Sequence, residues 1–261
     1  MTRSSPSAPL QLWLRREVRT RRRDYGVLTP LHDQDRDRFM SRSLKYEIPG
    51  IDPRVAFDEW AEKGWASVFG TAADGDRPKR VLEIGFGRGE FLLAMAASAP
   101  EVEFVGIEVS YKRTLKMARK VARAGFSNVR LVEARAEEAI QHLAGPGTLD
   151  QIWINFSDPW PKRRQGHRRV IQRNFVGDAA VALASNGHFY VATDDVPYAH
   201  QMNEVFSAEP RLENAYAPWP FLSEVPGRGQ TGYEEQWRAA GRPMHFFSHR
   251  SRGAGNGTTN E

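Results

Sequence analysis

Apolar residues come in short bursts along this chain, and the bursts alternate with stretches of helical period. Val81, Leu82 and Ile84 form a strand-length run carrying one acid, Glu83, and Phe91-Leu92-Leu93-Ala94-Met95-Ala96 follows as a helical pattern. Val102 to Glu108 reads as a second buried strand ending in an acid. Ser110 then caps a helix running to about Ala124 and closed by Gly125. The same reading gives a strand over Val129–Glu133, a short helix over Glu137–Leu143 and a strand over Leu149–Phe156. A helix over Val170–Leu183, a strand over His188–Thr193 and a helix over Tyr198–Phe206 come next. The remainder, punctuated by Pro210, Pro218, Pro220, Pro226 and Gly241, is expected to close the sheet with a pair of strands. Strands alternating with helices imply an α/β fold, a doubly wound, mostly parallel sheet with helices on both faces.

The pattern is different before residue 79. Met1 to Leu10 is rich in Ser and Pro and is expected to be disordered. Leu12 to Arg23 interleaves arginines with Leu12, Trp13, Leu14 and Val18, as an amphipathic arm would. A helix is expected from Pro53 to Phe69, with Phe57, Trp60, Trp65 and Phe69 packing into the core, and Ala72 to Pro78 reads as a polar linker. These shifts predict a basic arm over 1–40, a main domain over 41–250 with a helical extension at 41–78, and a loose tail over 251–261.

The first strand runs into Gly85-Phe86-Gly87-Arg88-Gly89. Glycines in such a turn reach positive φ and let a ligand lie against the main chain, and the helix behind them adds free N–H groups. The spacing is Gly-x-Gly-x-Gly, whereas dinucleotide binders use Gly-x-Gly-x-x-Gly. Glu83, two residues ahead of the first glycine, would repel a pyrophosphate and suits a cation, such as the amino or sulfonium end of S-adenosylmethionine. An NAD-dependent oxidoreductase is the rival on a similar sheet, and the glycine spacing and Glu83 argue against it.

At 261 residues, 40% hydrophobic and 26% charged, the chain has the composition of a soluble globular protein. It has no cysteine, which excludes disulfides, thiolate catalysis and cysteine-ligated zinc. Neither a signal-peptide core nor a membrane-spanning run is present, so a cytoplasmic protein without a membrane partner is expected. The net charge of +5 is unevenly spread. One cluster comprises Arg15, Arg16, Arg19, Arg21, Arg22 and Arg23, and another Lys162, Arg163, Arg164, His167, Arg168 and Arg169. Clusters of this kind are candidate phosphate contacts.

Ligands of doubly wound sheets bind at the carboxyl ends of the strands. Glu83, Glu108, Asp158 and Asp194 all stand at or just after such ends and are expected to converge on one crevice. Glu108 lies about twenty residues past the glycine turn, where a carboxylate accepts hydrogen bonds from ribose hydroxyls. Pro159 keeps Asp158 extended and Trp160 offers a flat face for a base. The Ser157-Asp158-Pro159-Trp160 stretch resembles the Asp/Asn-Pro-Pro-aromatic motif of methyltransferases acting on exocyclic amines, with Trp160 in place of the second proline.

Five motifs together resemble the bacterial tRNA (guanine-N7-)-methyltransferase family. They are Leu82 to Gly89, Gly106-Ile107-Glu108, Asp158-Pro159-Trp160-Pro161-Lys162, Ala192-Thr193-Asp194 and Thr231-Gly232-Tyr233-Glu234, in the family's order and spacing. The resemblance runs from about Arg19 to His249. It implies a seven-stranded class I methyltransferase fold and methyl transfer from S-adenosylmethionine, without a metal, to N7 of a guanosine in the tRNA variable loop. By it, Glu83, Gly85, Gly87, Glu108, Arg135, Ala136 and Asp158 bind the cofactor, with Asp158 also beside the reacting atoms as the catalytic group. Lys162, Asp194, Thr231 and Glu234 match positions that handle the guanosine, and Arg164, His167, Arg168 and Arg169 match a stretch that meets the RNA. The family usually has Asn or Asp before Ala136, to read adenine; this chain has Arg135. The partner implied is tRNA, with the protein a monomer or homodimer. A methyltransferase acting on an exocyclic amine of a nucleic acid, and a non-catalytic RNA-binding module, are the competing readings. N7 carries a free lone pair and no proton, so catalysis is expected to rest on positioning and electrostatics without a strong general base.

Overall fold

A computed structural model describes residues 47–70 and 77–252. The expected arm over 1–40 with its arginines, most of the linker and the chain beyond 252 lie outside the described residues. The elements run α1 (Phe57–Phe69), β1 (Arg80–Ile84), α2 (Glu90–Ser98), β2 (Glu103–Glu108), α3 (Tyr111–Ala124), β3 (Val129–Glu133), α4 (Ala136–Leu143), β4 (Leu149–Asn155) and a 3-10 turn (Arg163–Arg168). They continue with α5 (Arg173–Ala182), β5 (Leu183–Thr193), α6 (Val196–Ser207), β6 (Leu212–Asn214), α7 (Gly232–Ala239) and β7 (His245–Ser251).

The seven described strands join one sheet in the order β3-β2-β1-β4-β5-β7-β6. The first five in that order are parallel, and β7 runs antiparallel to both β5 and β6. Successive side chains of a strand point to opposite faces, and the core divides accordingly. Leu82 and Ile84 of β1 join Val105 and Ile107 of β2 in a layer with Trp60, Ile140, Phe175, Tyr198 and Phe206 from α1, α4, α5 and α6. Val81 and Phe104 face the other way, against Leu92 of α2 and Met117, Ala118 and Val121 of α3. Glu83 lies on this second face, paired across the strands with Gly106. A Cβ on Gly106 would come within 2.7 Å of Leu92 and Phe86, so the glycine makes room for them. The doubly wound, mostly parallel sheet expected from the sequence is the one found.

Several boundaries differ from expectation, each for a local reason. The helix expected from Pro53 starts at Phe57, because Pro53 to Val55 instead extends the sheet beside β3. There Val55 N–H donates to the Leu131 carbonyl (2.9 Å) and Leu131 N–H to the Pro53 carbonyl (3.0 Å). Trp60 and Trp65 are buried edge to face at 5.1 Å, as core packing predicts, with Trp60 Nε1 donating to the Leu143 carbonyl. The helix expected over Val170–Leu183 is shorter, and Leu183 already belongs to β5. Between the expected helix and strand, β5 carries an irregularity: Asn186 has φ 62°, and the pairing register with β4 shifts there. The last strand takes in Arg250 and Ser251. No described helix is long and apolar enough to cross a membrane.

Candidate active site

The strand order reverses at β1, which sends its next connection one way to β2 while β4 lies on its other side. At the carboxyl end of β1 the chain enters the glycine turn, where Gly85, Gly87 and Gly89 have φ of 74°, 56° and 77°. A Cβ on Gly85 would meet nothing within 4 Å, and one on Gly87 would meet only the Gly85 carbonyl at 3.9 Å. These two glycines therefore keep a ligand space open. Gly89 is held by packing: a Cβ there would sit 2.1 Å from Met117 Sδ, inside the layer between α2 and α3. Gly89→Ala combines that overlap with an unfavourable φ, and should lower stability by about 2 kcal/mol, read as a shifted urea midpoint.

A cleft of about 700 Å³ opens over this turn. Its wall includes Glu83, Gly85 to Phe91, Asn155, Phe156 and Asp158 from the strand ends. Arg113, Lys116 and Lys120 of α3, together with Thr231, Tyr233 and Gln236 at the start of α7, complete it. Glu83 is 2% exposed. Its Oε1 accepts from Asn155 Nδ2 at 3.3 Å, while its Oε2 is buried without a hydrogen-bond partner. Burial pushes this carboxyl up to about 7, against the opposing pull of Asn155 and the Arg228 charge. A buried carboxylate oxygen with no donor, on a residue that lines the cleft beside the glycine turn, fits the ammonium of a bound amino acid moiety.

Behind Glu83 a relay of side chains runs across the cleft floor. Arg228 Nη2 donates to Asn155 Oδ1 at 2.5 Å, and Arg228 Nη1 to Glu234 Oε2 at 2.5 Å. Arg238 Nε donates to the other Glu234 oxygen at 2.9 Å. The Arg228 guanidinium is sandwiched by Phe91 (5.4 Å) and Phe246 (4.6 Å). Neither Asn155 nor Arg228 stands out in the sequence. Asn155 is discoverable in hindsight as a polar end to an apolar strand, the signal that picks out Glu83. Arg228 sits in a Pro-Gly loop, and nothing local shows that it is buried.

Asp158 is exposed at the cleft rim, in a loop braced by unusual backbone. Phe156 and Trp160, on either side of it, take φ of 53° and 43°, the left-handed region that bulky residues avoid. Tertiary contacts hold them there. Phe156 N–H donates to the Ala192 carbonyl at 2.8 Å and its ring meets Tyr233 at 5.2 Å. Arg168 lies over the Trp160 ring at 4.9 Å. Arg169 Nε donates to the Pro159 carbonyl at 2.7 Å, its guanidinium also bonds Gln201, and it covers Tyr198.

The other expected residues divide between the cleft and its supports. Thr231 lines the cleft and caps α7, its Oγ1 accepting from Glu234 N–H at 3.0 Å. Glu234 itself is buried and wholly occupied by the two arginines. Glu108 is buried beneath the turn, with Gly87 N–H at 3.3 Å, Ser110 N–H at 3.1 Å and Arg113 at 3.4 Å. Asp194 accepts from Arg242 Nη1 at 2.7 Å. Of the four strand-end acids, Glu83 and Asp158 line the cleft, Glu108 lies against its glycine turn through Gly87, and Asp194 is paired with Arg242. Arg135 is exposed and leans towards Glu137 rather than into the cleft, and Ala136 is buried in the core beside α4's apolar face. Lys162, Arg164, His167 and Arg168 are exposed on and before the 3-10 turn, whereas Arg169 is tied into the loop.

A family profile described as "Putative methyltransferase" matches residues 77–247. The tRNA (guanine-N(7)-)-methyltransferase of Halorhodospira halophila is 38% identical over 217 residues, 82% of this chain and 91% of that protein. The protein of the same name from Cutibacterium acnes is 39% identical over 170 residues, 65% of this chain; the match spans 62% of that relative's length. Among solved structures, that of the 16S rRNA methyltransferase KamB superposes with a TM-score of 0.51 at 14% identity, covering 75% of this chain and 92% of that one. That likeness is one of fold.

Proposed function

The chain belongs to the tRNA (guanine-N(7)-)-methyltransferase family, and from that premise we propose that it methylates N7 of a guanosine in the variable loop of tRNA. The observation that carries this reading is the unpartnered Glu83 oxygen over an open glycine turn, in the same cleft as Asp158. When bound, S-adenosylmethionine supplies an electrophilic methyl group on a sulfonium centre. Glu83 holds the ammonium of that molecule, and Gly85 and Gly87 leave its path against the main chain clear. Glu108 takes the ribose hydroxyls, since its contacts to Gly87 and Arg113 are long enough to yield to them. The exposed Arg135 is given no adenine contact.

Asp158 is the catalytic group in this reading. It holds the amino edge of guanine and offsets the positive charge that develops on the base, with no proton to accept from N7. Thr231 and Tyr233 flank the base from α7. Glu234, clamped by Arg228 and Arg238, sets the position of that helix, and Asp194, paired with Arg242, hydrogen-bonds Tyr233. Lys162, Arg164, His167 and Arg168 meet the RNA backbone, while Arg169 braces the Asp158 loop.

The test is incubation of unmodified tRNA with methyl-labelled S-adenosylmethionine, followed by digestion to nucleosides. Label is expected only in 7-methylguanosine, and changing the variable-loop guanosine to adenosine should abolish it. Label on an exocyclic amine would replace the N7 assignment with the amine reading, and no transfer at all would overturn the proposal.

A further inference from the structure

Helix α3 departs from the rules that the chain's other helices obey. Its sequence contains Lys112, Arg113, Lys116, Arg119, Lys120 and Arg123 and no acid, whereas every other described α-helix carries at least one Asp or Glu. Acids occupy the first turns of α1, α2, α4 and α7, where they complement the helix dipole. In α3 that turn holds Lys112 and Arg113 instead, an arrangement that opposes the dipole. Lys112 and Lys116, Lys116 and Lys120, and Arg119 and Arg123 are like charges one helical turn apart, which repel.

At 3.6 residues per turn the six cations fall within about a third of the helix circumference. Thr114, Leu115, Met117, Ala118 and Val121 fill the opposite, buried face. Lys112, Lys116 and Arg123 are exposed and make no ion pair among the described residues. Arg113 reaches Glu108, and Lys120 Nζ donates to the Arg88 carbonyl in the glycine turn at 2.8 Å. The stripe starts at the catalytic cleft, since Arg113, Lys116 and Lys120 line its wall. A helix that gives up local stability to present Lys112, Lys116 and Arg123 without an ion pair among the described residues, beside a reactive cleft, has the form of a polyanion contact.

We propose that the α3 stripe is an RNA-backbone track, separate from the basic turn after Asp158, so that tRNA phosphates are gripped on the α3 side of the cleft as well. This inference rests on the reading that the substrate is tRNA. The test compares wild type with two triple variants, Lys112→Gln/Lys116→Gln/Arg123→Gln and Arg163→Gln/Arg164→Gln/Arg168→Gln, measuring tRNA affinity across a salt series. Each lost phosphate contact should reduce the slope of log affinity against log salt by about 0.7–0.9, the range from single strands to a B-form duplex, so the α3 variant should lose about 2 or more. Arg123→Gln alone, at the end of α3 and outside the cleft wall, should lose about 1. Removing like charges should leave the fold intact.

An α3 variant with the wild-type slope would overturn the track while leaving tRNA as substrate. Weakened binding of S-adenosylhomocysteine with an unchanged slope would likewise overturn it, by assigning the stripe to the cofactor. If the wild type shows no salt-dependent tRNA binding, the functional reading itself fails and the track with it.

Discussion

Replacing Glu83 by glutamine should stabilise the ligand-free protein above neutral pH and remove most of its hold on the methyl donor. The Glu83 carboxyl titrates at about 7 in the fold against 4.5 ordinarily, because burial disfavours its charged form. Between those values the folded protein keeps a proton that the unfolded chain has released. Stability from this group is therefore fully present at pH values below 4.5, falls as pH rises towards 7, and stays low above it. The span corresponds to about 3 kcal/mol at most. Glutamine has the same shape and no charge to bury, so denaturation midpoints of variant and wild type should separate across that window, with the variant the more stable at alkaline pH.

Binding should move the other way. Wild-type affinity for S-adenosylhomocysteine, which carries the same ammonium, should rise with pH up to about 7 as Glu83 ionises on meeting that cation. The variant loses a charge-assisted hydrogen bond, about 1.5–3 kcal/mol, or roughly ten- to hundredfold in affinity. Calorimetry at pH 6 and pH 8 reads both effects. Equal affinity in the two proteins would show that the free Oε2 faces no ligand cation.

Asp158→Ala should lower turnover about a hundredfold or more, as removal of a preorganised charge from a reacting centre does. Guanine N7 has no proton to lose, so the residual turnover and the wild-type turnover at saturating donor should both stay flat through neutral pH. The pH dependence should appear only at limiting donor, where Glu83 sets the affinity. Asp158→Asn separates two roles: it should retain more activity than Asp158→Ala if hydrogen bonding to the base dominates, and about as little if charge does. A turnover that climbs through neutrality would identify a general base, and with it a nucleophile other than N7.

The periodicity of the sequence was enough to read the sheet, because the buried strands are continuous apolar runs and their helices have clear faces. Glu83 and the glycine turn were legible for the same reason: an acid inside an apolar strand, and glycines at three alternate positions, violate the local pattern. Helix α7 went unread although Thr231-Gly232-Tyr233-Glu234 has the form of a capping box. Only half of that box forms, since Thr231 caps Glu234 N–H while the Glu234 side chain turns to Arg228 and Arg238. Arg228 and Asn155 were invisible because their importance comes from meeting across the cleft, 73 residues apart. How directly each of the four acids faces the cleft was hidden for a related reason. Strand position fixed where Glu108 and Asp194 emerge, but Ser110 and Arg113 in one case and Arg242 in the other decide where their charges point.

The place of β7 bears on how the protein is made. It is the last described strand in the chain, yet it lies between β5 and β6, and β6 has no other sheet neighbour among the described residues. A ribosome therefore releases β5 with one edge bare and β6 with nothing to pair with, and both wait for His245 to Ser251 to emerge. Until then the nascent chain has its glycine turn and Glu83 but no anchor for the segment that carries Arg228, Thr231 and Glu234. The Thr231 side of the cleft is thus secured only once β7 has emerged, and a chain that stalls before His245 would expose bare strand edges to chaperones before that side is anchored.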